Sequence, residues 1–178
     1  MDIIQEIYRE IERERLWEKT TSVRRNGYLR SAGEIEDNLY YIVSGSVKIS
    51  IVDGSEDRIV RFGYQHNFIT ALDSFITGYP TDFYIQALKK TELKVISKKR
   101  YFTLVNSNDR LKQLWNIVLE QLILQQLERE KDILLSSPVE RYKRVLHRSP
   151  QLFQEIPDRH IASYLRMAPE TLSRLKKS

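Results

Sequence analysis

The sequence contains no cysteine and only three histidines in 178 residues. Without cysteine there are no disulfides, no thiolate zinc sites and no cysteine-ligated iron–sulfur clusters. The histidines, His66, His147 and His160, are scattered, so they do not form the clustered set that a metal enzyme or an activated nucleophile needs. We therefore expect no enzyme activity, no metal and no cofactor.

Long apolar runs are also lacking. The charge-free stretches fall well short of the roughly 18 apolar residues that a membrane helix needs. Asp2 stands where a signal peptide would be basic. We expect a cytoplasmic protein without a membrane partner.

The net charge of +5 is unevenly distributed along the chain. Residues 1–137 carry 20 Lys+Arg and 20 Asp+Glu, whereas residues 138–178 carry 9 and 4, so the whole excess lies in the last quarter. A basic terminal segment on a neutral body indicates a polyanion partner. Nucleic acid is favoured over a membrane, because no long amphipathic apolar face accompanies the charge. A solvated surface with a chance asymmetry is the alternative.

Short β-rich runs separated by turn residues fill the region from about Thr20 to Ile96. The runs are GYLR, NLYYIV, SVKISIV, DRIVRF, NFIT, DFYIQAL and ELKVI. Seven short strands at this spacing predict a small antiparallel sandwich or barrel-like roll.

Helices are predicted on both sides of this region. Isoleucines at helical spacing predict a short amphipathic helix from Ile3 to about Lys19. After the strands, SKKRYFTLV is long enough for one or two helical turns. Ser107-Asn108-Asp109 then provides N-cap chemistry for a long helix that ends near Leu135.

One face of the long helix carries a coiled-coil seam. Its positions are Leu111, Trp115, Val118, Leu122 and Gln125. These spacings of 4, 3, 4 and 3 are typical of a dimer interface. A second apolar face on the same helix predicts two partners, the chain's own sheets and an identical helix. Burial of both faces within one protomer is the alternative.

Ser136-Ser137-Pro138 breaks the long helix and predicts a hinge. A short helix is predicted from Val139 to His147, and DRHIASYLRMAPETLSRLKK then has the layout of a helix-turn-helix. Apolar or small residues occupy the positions that this motif requires, at Ile161, Ala162, Leu165, Met167, Leu172 and Leu175. A two-helix unit without a binding role is the alternative.

With these elements in this order, the chain resembles the CRP/FNR family of bacterial transcription regulators from about Tyr28 to Lys177. YYIVSGSVKISI, SSPVERYKRVL and IASYLRMAPETLSRLKK are similar to a branch common in Bacteroidetes-type bacteria. The resemblance implies an α+β fold with an N-terminal antiparallel β-roll (double-stranded β-helix), a long dimerisation helix and a small winged-helix-like helix-turn-helix domain. The implied domains are residues 1–135, a sensor with the long helix, and residues 138–178, which bind DNA.

The resemblance also implies a function and partners. We expect a sequence-specific transcription regulator that binds a pseudo-palindromic operator in double-stranded DNA as a homodimer. RNA polymerase and an unidentified small-molecule effector are the further partners implied. A second hypothesis is an effector-sensing or interaction module whose DNA-binding domain is weak or non-functional.

The predicted DNA contacts lie on the second helix of the motif. They are Glu170, Thr171, Ser173, Arg174, Lys176 and Lys177. Arg174 can donate two hydrogen bonds to guanine and Glu170 can accept from cytosine, whereas the lysines suit phosphates. By residue match with the family, Glu170 and Arg174 stand at base-reading positions and Thr171 at a phosphate contact. Two departures, Arg166 where the turn usually has glycine and Ala168 at the N-cap, predict a less firmly set helix.

NFITALDSFITGYPTDFYIQAL, residues 67–88, matches the family's phosphate-binding cassette. The predicted effector pocket comprises Phe68, Thr70, Ala71, Thr81, Asp82 and Phe83. In cyclic-AMP receptors a glutamate and an arginine–serine pair stand where this chain has Ala71, Thr81 and Asp82. The lost cation and the added carboxylate predict that the pocket does not bind cyclic nucleotides. It is expected to be empty or to take a neutral or cationic ligand.

Overall fold

The structure of the protein is a computed structural model that describes residues 3–54 and 56–177. The helices are α1 (Ile3–Arg13), α2 (Leu72–Thr77), α3 (Lys98–Asn106), α4 (Asp109–Leu134), α5 (Pro138–Arg148), α6 (Leu152–Glu155), α7 (Asp158–Tyr164) and α8 (Pro169–Leu175). The strands are β1 (Lys19–Val23), β2 (Tyr28–Arg30), β3 (Asn38–Ser44), β4 (Ser46–Asp53), β5 (Glu56–Tyr64), β6 (Phe68–Ile69), β7 (Tyr84–Ala87) and β8 (Thr91–Ser97). No helix in the described ranges is long and apolar enough to cross a membrane.

The eight strands form two four-stranded antiparallel sheets, with orders β1-β8-β3-β6 and β2-β7-β4-β5. Apart from the β4–β5 hairpin, consecutive strands lie in different sheets, so the two sheets face each other as a roll. The predicted mixed fold with an antiparallel β-roll is confirmed. Buried side chains from both sheets form the roll's core, which includes Ile42, Val47, Ile85 and Leu93.

All seven predicted strands are present, and β1 is an additional strand. The sequence of β1, KTTSV, is mostly exposed and pairs along its whole length with β8. The first helix was predicted to reach about Lys19, but it ends at Arg13, and Arg15 follows with a positive φ of 52°. The missed strand has no apolar face of its own, which is why its sequence lacks a strand signal.

The β3–β4 turn shows why one glycine is required. Gly45 has a φ of 97°, and a Cβ at this position would lie 2.5 Å from Thr91 Oγ1 and 2.6 Å from Lys90 O. Any side chain would therefore force β8 away from the turn.

The long helix α4 begins as predicted, with the Asn108 side chain accepting a hydrogen bond from Arg110 N at 2.8 Å. Leu111, Trp115 and Val118 pack into a core that α4 shares with α1 and α3. Leu122 and Gln125 line a cavity beside the roll.

The seam predicted for a second subunit therefore faces its own chain. A different set of side chains on α4 is exposed and apolar, comprising Ile117, Ile123, Leu124, Leu127 and Leu134. Spacing alone could not tell the two faces apart, because both fit a helical period.

Helices are the regular secondary structure of residues 138–177, and the strands of a winged helix are not found in that range. Ser137 caps α5 by accepting from Glu140 N. The helices share a buried core with Ile59, Phe62 and Leu88 of the roll. The C-terminal helices are thus docked on the outer face of the β4–β5 sheet.

Candidate functional site

The cassette contains an internal carboxylate at its centre. Asp73, in the first turn of α2, accepts from Thr81 Oγ1 at 2.7 Å and from Asp82 N at 3.0 Å. Thr81 Oγ1 in turn accepts from Phe83 N at 3.0 Å. Thr81 Oγ1 and Asp82 N, two donors that could otherwise face an anion, are therefore already bound to Asp73.

The six predicted pocket residues have different environments. Thr70, Ala71 and Thr81 are buried, Phe68 and Phe83 are half-buried, and Asp82 is exposed. Thr70 donates to Asn38 O at 2.9 Å, and Ala71 is part of the roll's core. The structure brings Thr81, Asp82 and Phe83 together around Asp73 and does not gather the other three there.

The guanidinium of Arg30, which lies outside the cassette, is close to it, but a carboxylate of the same chain neutralises this cation. Arg30 on β2 binds both oxygens of Glu36 at 2.8 and 2.9 Å. Glu36 is fully buried, and its backbone N donates to Ser74 Oγ in α2. Burial opposes the charge of Arg30, but the bonds to Glu36 outweigh it and raise the pKa of Arg30. Burial and the Glu36 carboxylate raise the pKa of Tyr40, which also bonds to Glu36, to about 12.

The two helices of the C-terminal motif pack as their sequence predicts. Of the six apolar or small positions that the motif requires, four are fully buried: Ile161, Ala162, Leu165 and Leu172. Met167 and Leu175 are half-buried. The burial of these residues sets α8 across α7 and leaves one face of α8 in solvent.

The exposed face of α8 carries most of the predicted DNA contacts. Glu170, Ser173, Arg174 and Lys177 are exposed, and Thr171 is half-buried. Lys176 is also exposed, but its ammonium binds both oxygens of Asp158 at 2.8 and 2.9 Å. Lys176 therefore ties the end of α8 to the start of α7, a pairing that sequence reasoning missed.

Both predicted departures in the motif are visible in the backbone. Arg166 has a φ of 52°, the left-handed conformation that glycine adopts without strain. Ala168 is the N-cap of α8 and forms no side-chain cap hydrogen bond.

Arg166→Gly is expected to be more stable than Arg166→Ala by about 1 kcal/mol, because alanine retains the left-handed strain that glycine removes. Both variants remove the same charge, so alanine is the matched control. Urea denaturation of the two variants measures the difference. Equal stabilities would show that the turn carries no backbone strain.

Arg141 on α5 connects the hinge to the turn of the motif. Its guanidinium donates to the main-chain carbonyls of Leu135, Ser136, Leu165 and Arg166. The residue is buried, so these bonds are shielded from water. No sequence pattern considered above identifies Arg141. Its four acceptors are main-chain carbonyls, which every residue type has, so the sequence does not show them.

A second link joins α4 to α5 through charged side chains. Asp132, which is fully buried, binds Arg144 Nε at 2.9 Å and also binds Arg148. Glu128, one turn earlier, binds Arg144 at 2.8 Å. The end of the long helix is therefore fixed to the first helix of the C-terminal segment.

Comparison with known proteins supports the fold. The family model described as the cyclic nucleotide-binding domain matches residues 20–108. No curated protein matches the sequence significantly.

Solved structures with a similar fold cover nearly the whole chain. CLP, a c-di-GMP responsive global regulator from Xanthomonas campestris, is 17% identical with a TM-score of 0.71, over 96% of this chain and 90% of that one. FixK2 from Bradyrhizobium japonicum is 15% identical with a TM-score of 0.73, over 89% and 82%. The catabolite activator protein of Thermus thermophilus is 18% identical with a TM-score of 0.59, over 95% and 81%. At these identities the likeness shows a shared fold.

Proposed function

We propose that this chain, which belongs to the cyclic nucleotide-binding domain family and has the fold of CRP/FNR-type regulators, is a transcription regulator that binds specific DNA as a homodimer. The observation that carries the proposal is the exposed face of α8, which offers Arg174 and Lys177 on a buried two-helix support. The charge excess of residues 138–178 supports a polyanionic partner.

In this proposal, Arg174 and Glu170 recognise the bases. Both are exposed one turn apart on α8, so they reach the same major groove when the helix enters it. Arg174 presents two parallel donors to guanine, and Glu170 accepts from cytosine N4 or orients Arg174. Thr171, Ser173 and Lys177 contact the phosphates, with Lys176 held by Asp158 until DNA competes for it.

A second copy of the chain would cover the exposed apolar face of α4. Ile117, Leu124, Leu127 and Leu134 follow spacings of 7, 3 and 7, the heptad pattern of paired helices. The helix of 26 residues is about 39 Å long, enough for a paired interface of more than two heptads. The two-fold symmetry of such a dimer would present its two α8 helices to the half-sites of a pseudo-palindromic operator. This face replaces the seam at Leu111, Trp115, Val118, Leu122 and Gln125 as the proposed dimer interface.

RNA polymerase and a small-molecule effector are proposed as further partners, and we propose no catalytic activity.

The competing function is a sensor that retains the motif without using it. Backbone strain at Arg166 and the uncapped start of α8 at Ala168 favour that alternative.

DNA binding is tested by selection from a random duplex library, followed by titration of the selected site at two salt concentrations. Wild-type affinity should fall steeply with salt, because phosphate contacts release counterions. Arg174→Ala should weaken the selected site by about 10-fold or more and relax its sequence preference. Arg100→Ala, an exposed arginine on α3 that pairs with Glu18, is the control and should bind like wild type. Absent or salt-insensitive binding would favour the sensor-only alternative.

Cyclic AMP should not bind saturably at micromolar concentration in calorimetry. Asp73 already bonds to Thr81 and Asp82, and the exposed carboxylate of Asp82 repels a phosphate. Losing a charge-assisted contact and adding this repulsion costs several kcal/mol, about a thousand-fold in affinity. A saturable heat of binding with a micromolar Kd would contradict this prediction.

A further inference from the structure

A cavity of about 330 Å³ lies where three parts of the molecule meet. Strands β5 and β6 form one wall, the middle of α4 forms another, and the C-terminal helices close it at Arg148 and Tyr164. Asn67, Phe68 and Ile69 at the start of the cassette line this cavity, whereas Thr70, Ala71, Thr81 and Asp82 do not. The volume is at the lower end of the range for small-molecule sites.

Arg61 on β5 is the unusual residue of this wall. It is half-buried, and among residues 3–54 and 56–177 no carboxylate pairs with it. Burial lowers the pKa of Arg61, and the neighbour that acts against this effect is the Tyr164 side chain. A guanidinium in such surroundings gains from an anionic partner, because desolvating a charge without a counter-charge is costly.

The other cation of the wall is already neutralised. Arg148 binds Asp132 and lies 3.7 Å from Glu128. Arg129 is close by, with its guanidinium 3.9 Å from the centroid of the Tyr164 ring and one buried nitrogen, Nη1, without a partner in the described part of the chain. The surroundings of Tyr164 thus carry an excess of positive charge, and Arg61 is the cation on the wall without an acidic partner.

The remaining wall combines amide and apolar groups. Asn67, Gln121 and Gln125 contribute amides, and Phe68, Val118 and Leu122 contribute apolar surface. A ligand that suits this wall has a compact apolar body and an oxyanion at one end.

We propose that this interdomain cavity binds a small organic oxyanion, with Arg61 holding the charged group and the apolar wall holding the body of the ligand. The bound molecule contacts the roll, α4 and the DNA-binding helices together. It therefore stabilises the docked arrangement over any arrangement in which these parts separate. The effector site of this chain is then the junction of its domains, with Phe68 of the cassette in its wall, and not the part of the cassette around Thr81 and Asp82.

Two fluorescent dyes with the same apolar framework test the proposal on the full chain. Anilinonaphthalene sulfonate carries the anion, and phenylnaphthylamine lacks it. Wild type should bind the sulfonate saturably with one site per chain and more tightly than the neutral dye. Arg61→Met should weaken the sulfonate about 10-fold or more and leave the neutral dye unchanged, because only the charge-assisted bond is lost. Leu122→Trp, which fills the cavity, should lose both dyes.

Arg58→Met is the matched control, because Arg58 is an exposed arginine on the same strand that pairs with Asp53 and Glu56. The proposal is overturned if wild type shows no saturable site, or if Arg61→Met binds the sulfonate as well as Arg58→Met does. If Arg61→Met loses both dyes, sulfonate binding by Arg61→Lys is measured next. If Arg61→Lys binds the sulfonate as tightly as Arg58→Met does, position 61 holds the anion through its charge. If Arg61→Lys binds it more weakly, that result counts against this role. None of these measurements uses DNA, so their outcome is independent of the proposed DNA binding.

Discussion

Arg141→Met is expected to lower the free energy of unfolding by about 3 kcal/mol or more. The guanidinium is buried and donates to carbonyls at the start of the hinge and in the turn of the motif. Methionine fills a similar length without any donor, so buried carbonyls lose their partner and each pays a desolvation cost. For a chain of this size the melting temperature should fall by about 6–12 °C.

Lys143→Met is the matched control on the same helix, because Lys143 is exposed. It should melt within about 2 °C of wild type. Arg141→Lys should recover little of the loss, since a single ammonium cannot donate to carbonyls as far apart as those of Ser136 and Leu165. A melting temperature for Arg141→Met equal to that of Lys143→Met would show that the four carbonyls are satisfied in another way.

The position of Arg141 makes this loss affect two parts of the C-terminal segment. The residue joins the hinge after α4 to the turn that precedes α8, so both ends of the segment depend on it. Buried Asp132, with Arg144 and Arg148, makes a second connection between α4 and α5. Together these two contacts connect the end of the long helix to α5 and to the turn before α8.

Seven strands, β2 to β8, were predictable because each of them leaves a local signal. Apolar and β-branched residues in NLYYIV and SVKISIV alternate with turns such as Ser44-Gly45, and β3 and β4 appear where these patterns stand. KTTSV gave no signal, since β1 is held in the sheet by main-chain pairing with β8 and not by an apolar face. The buried positions of the helix-turn-helix were predictable for the same local reason, as at Ile161 and Leu172.

The site residues that were not predictable act through partners distant in sequence or through the main chain. The role of Asp73 is not visible in the sequence, because it depends on the fold bringing Thr81 and Asp82 to its carboxylate. A lysine at position 176 suits a phosphate contact. Its bond to Asp158 becomes visible only in the structure, where α7 and α8 cross. The two apolar faces of α4 were visible in the sequence, but which one faces the roll depends on packing that periodicity does not encode.

Leu124→Glu is expected to raise the dissociation constant of the dimer by about 100-fold or more. Leu124 is 61% exposed in the single chain and lies at the centre of the heptad pattern formed with Ile117, Leu127 and Leu134. Pairing would bury a carboxylate on each helix, and the two would face each other without a counter-charge. The fold of the single chain should be unaffected, because the side chain is solvent-exposed there. Sedimentation equilibrium over a concentration series measures the dissociation constant directly.

Gln126→Glu is the matched control, since it adds the same charge at an exposed position on the opposite side of α4. It should sediment as wild type does. A dimer binds both half-sites of an operator at once, so the Leu124→Glu monomer should also lose about 100-fold or more in operator affinity. If Leu124→Glu dimerises as tightly as Gln126→Glu, the exposed face of α4 is not the dimer interface. If it is monomeric and still binds the operator as wild type does, two copies are not needed for recognition.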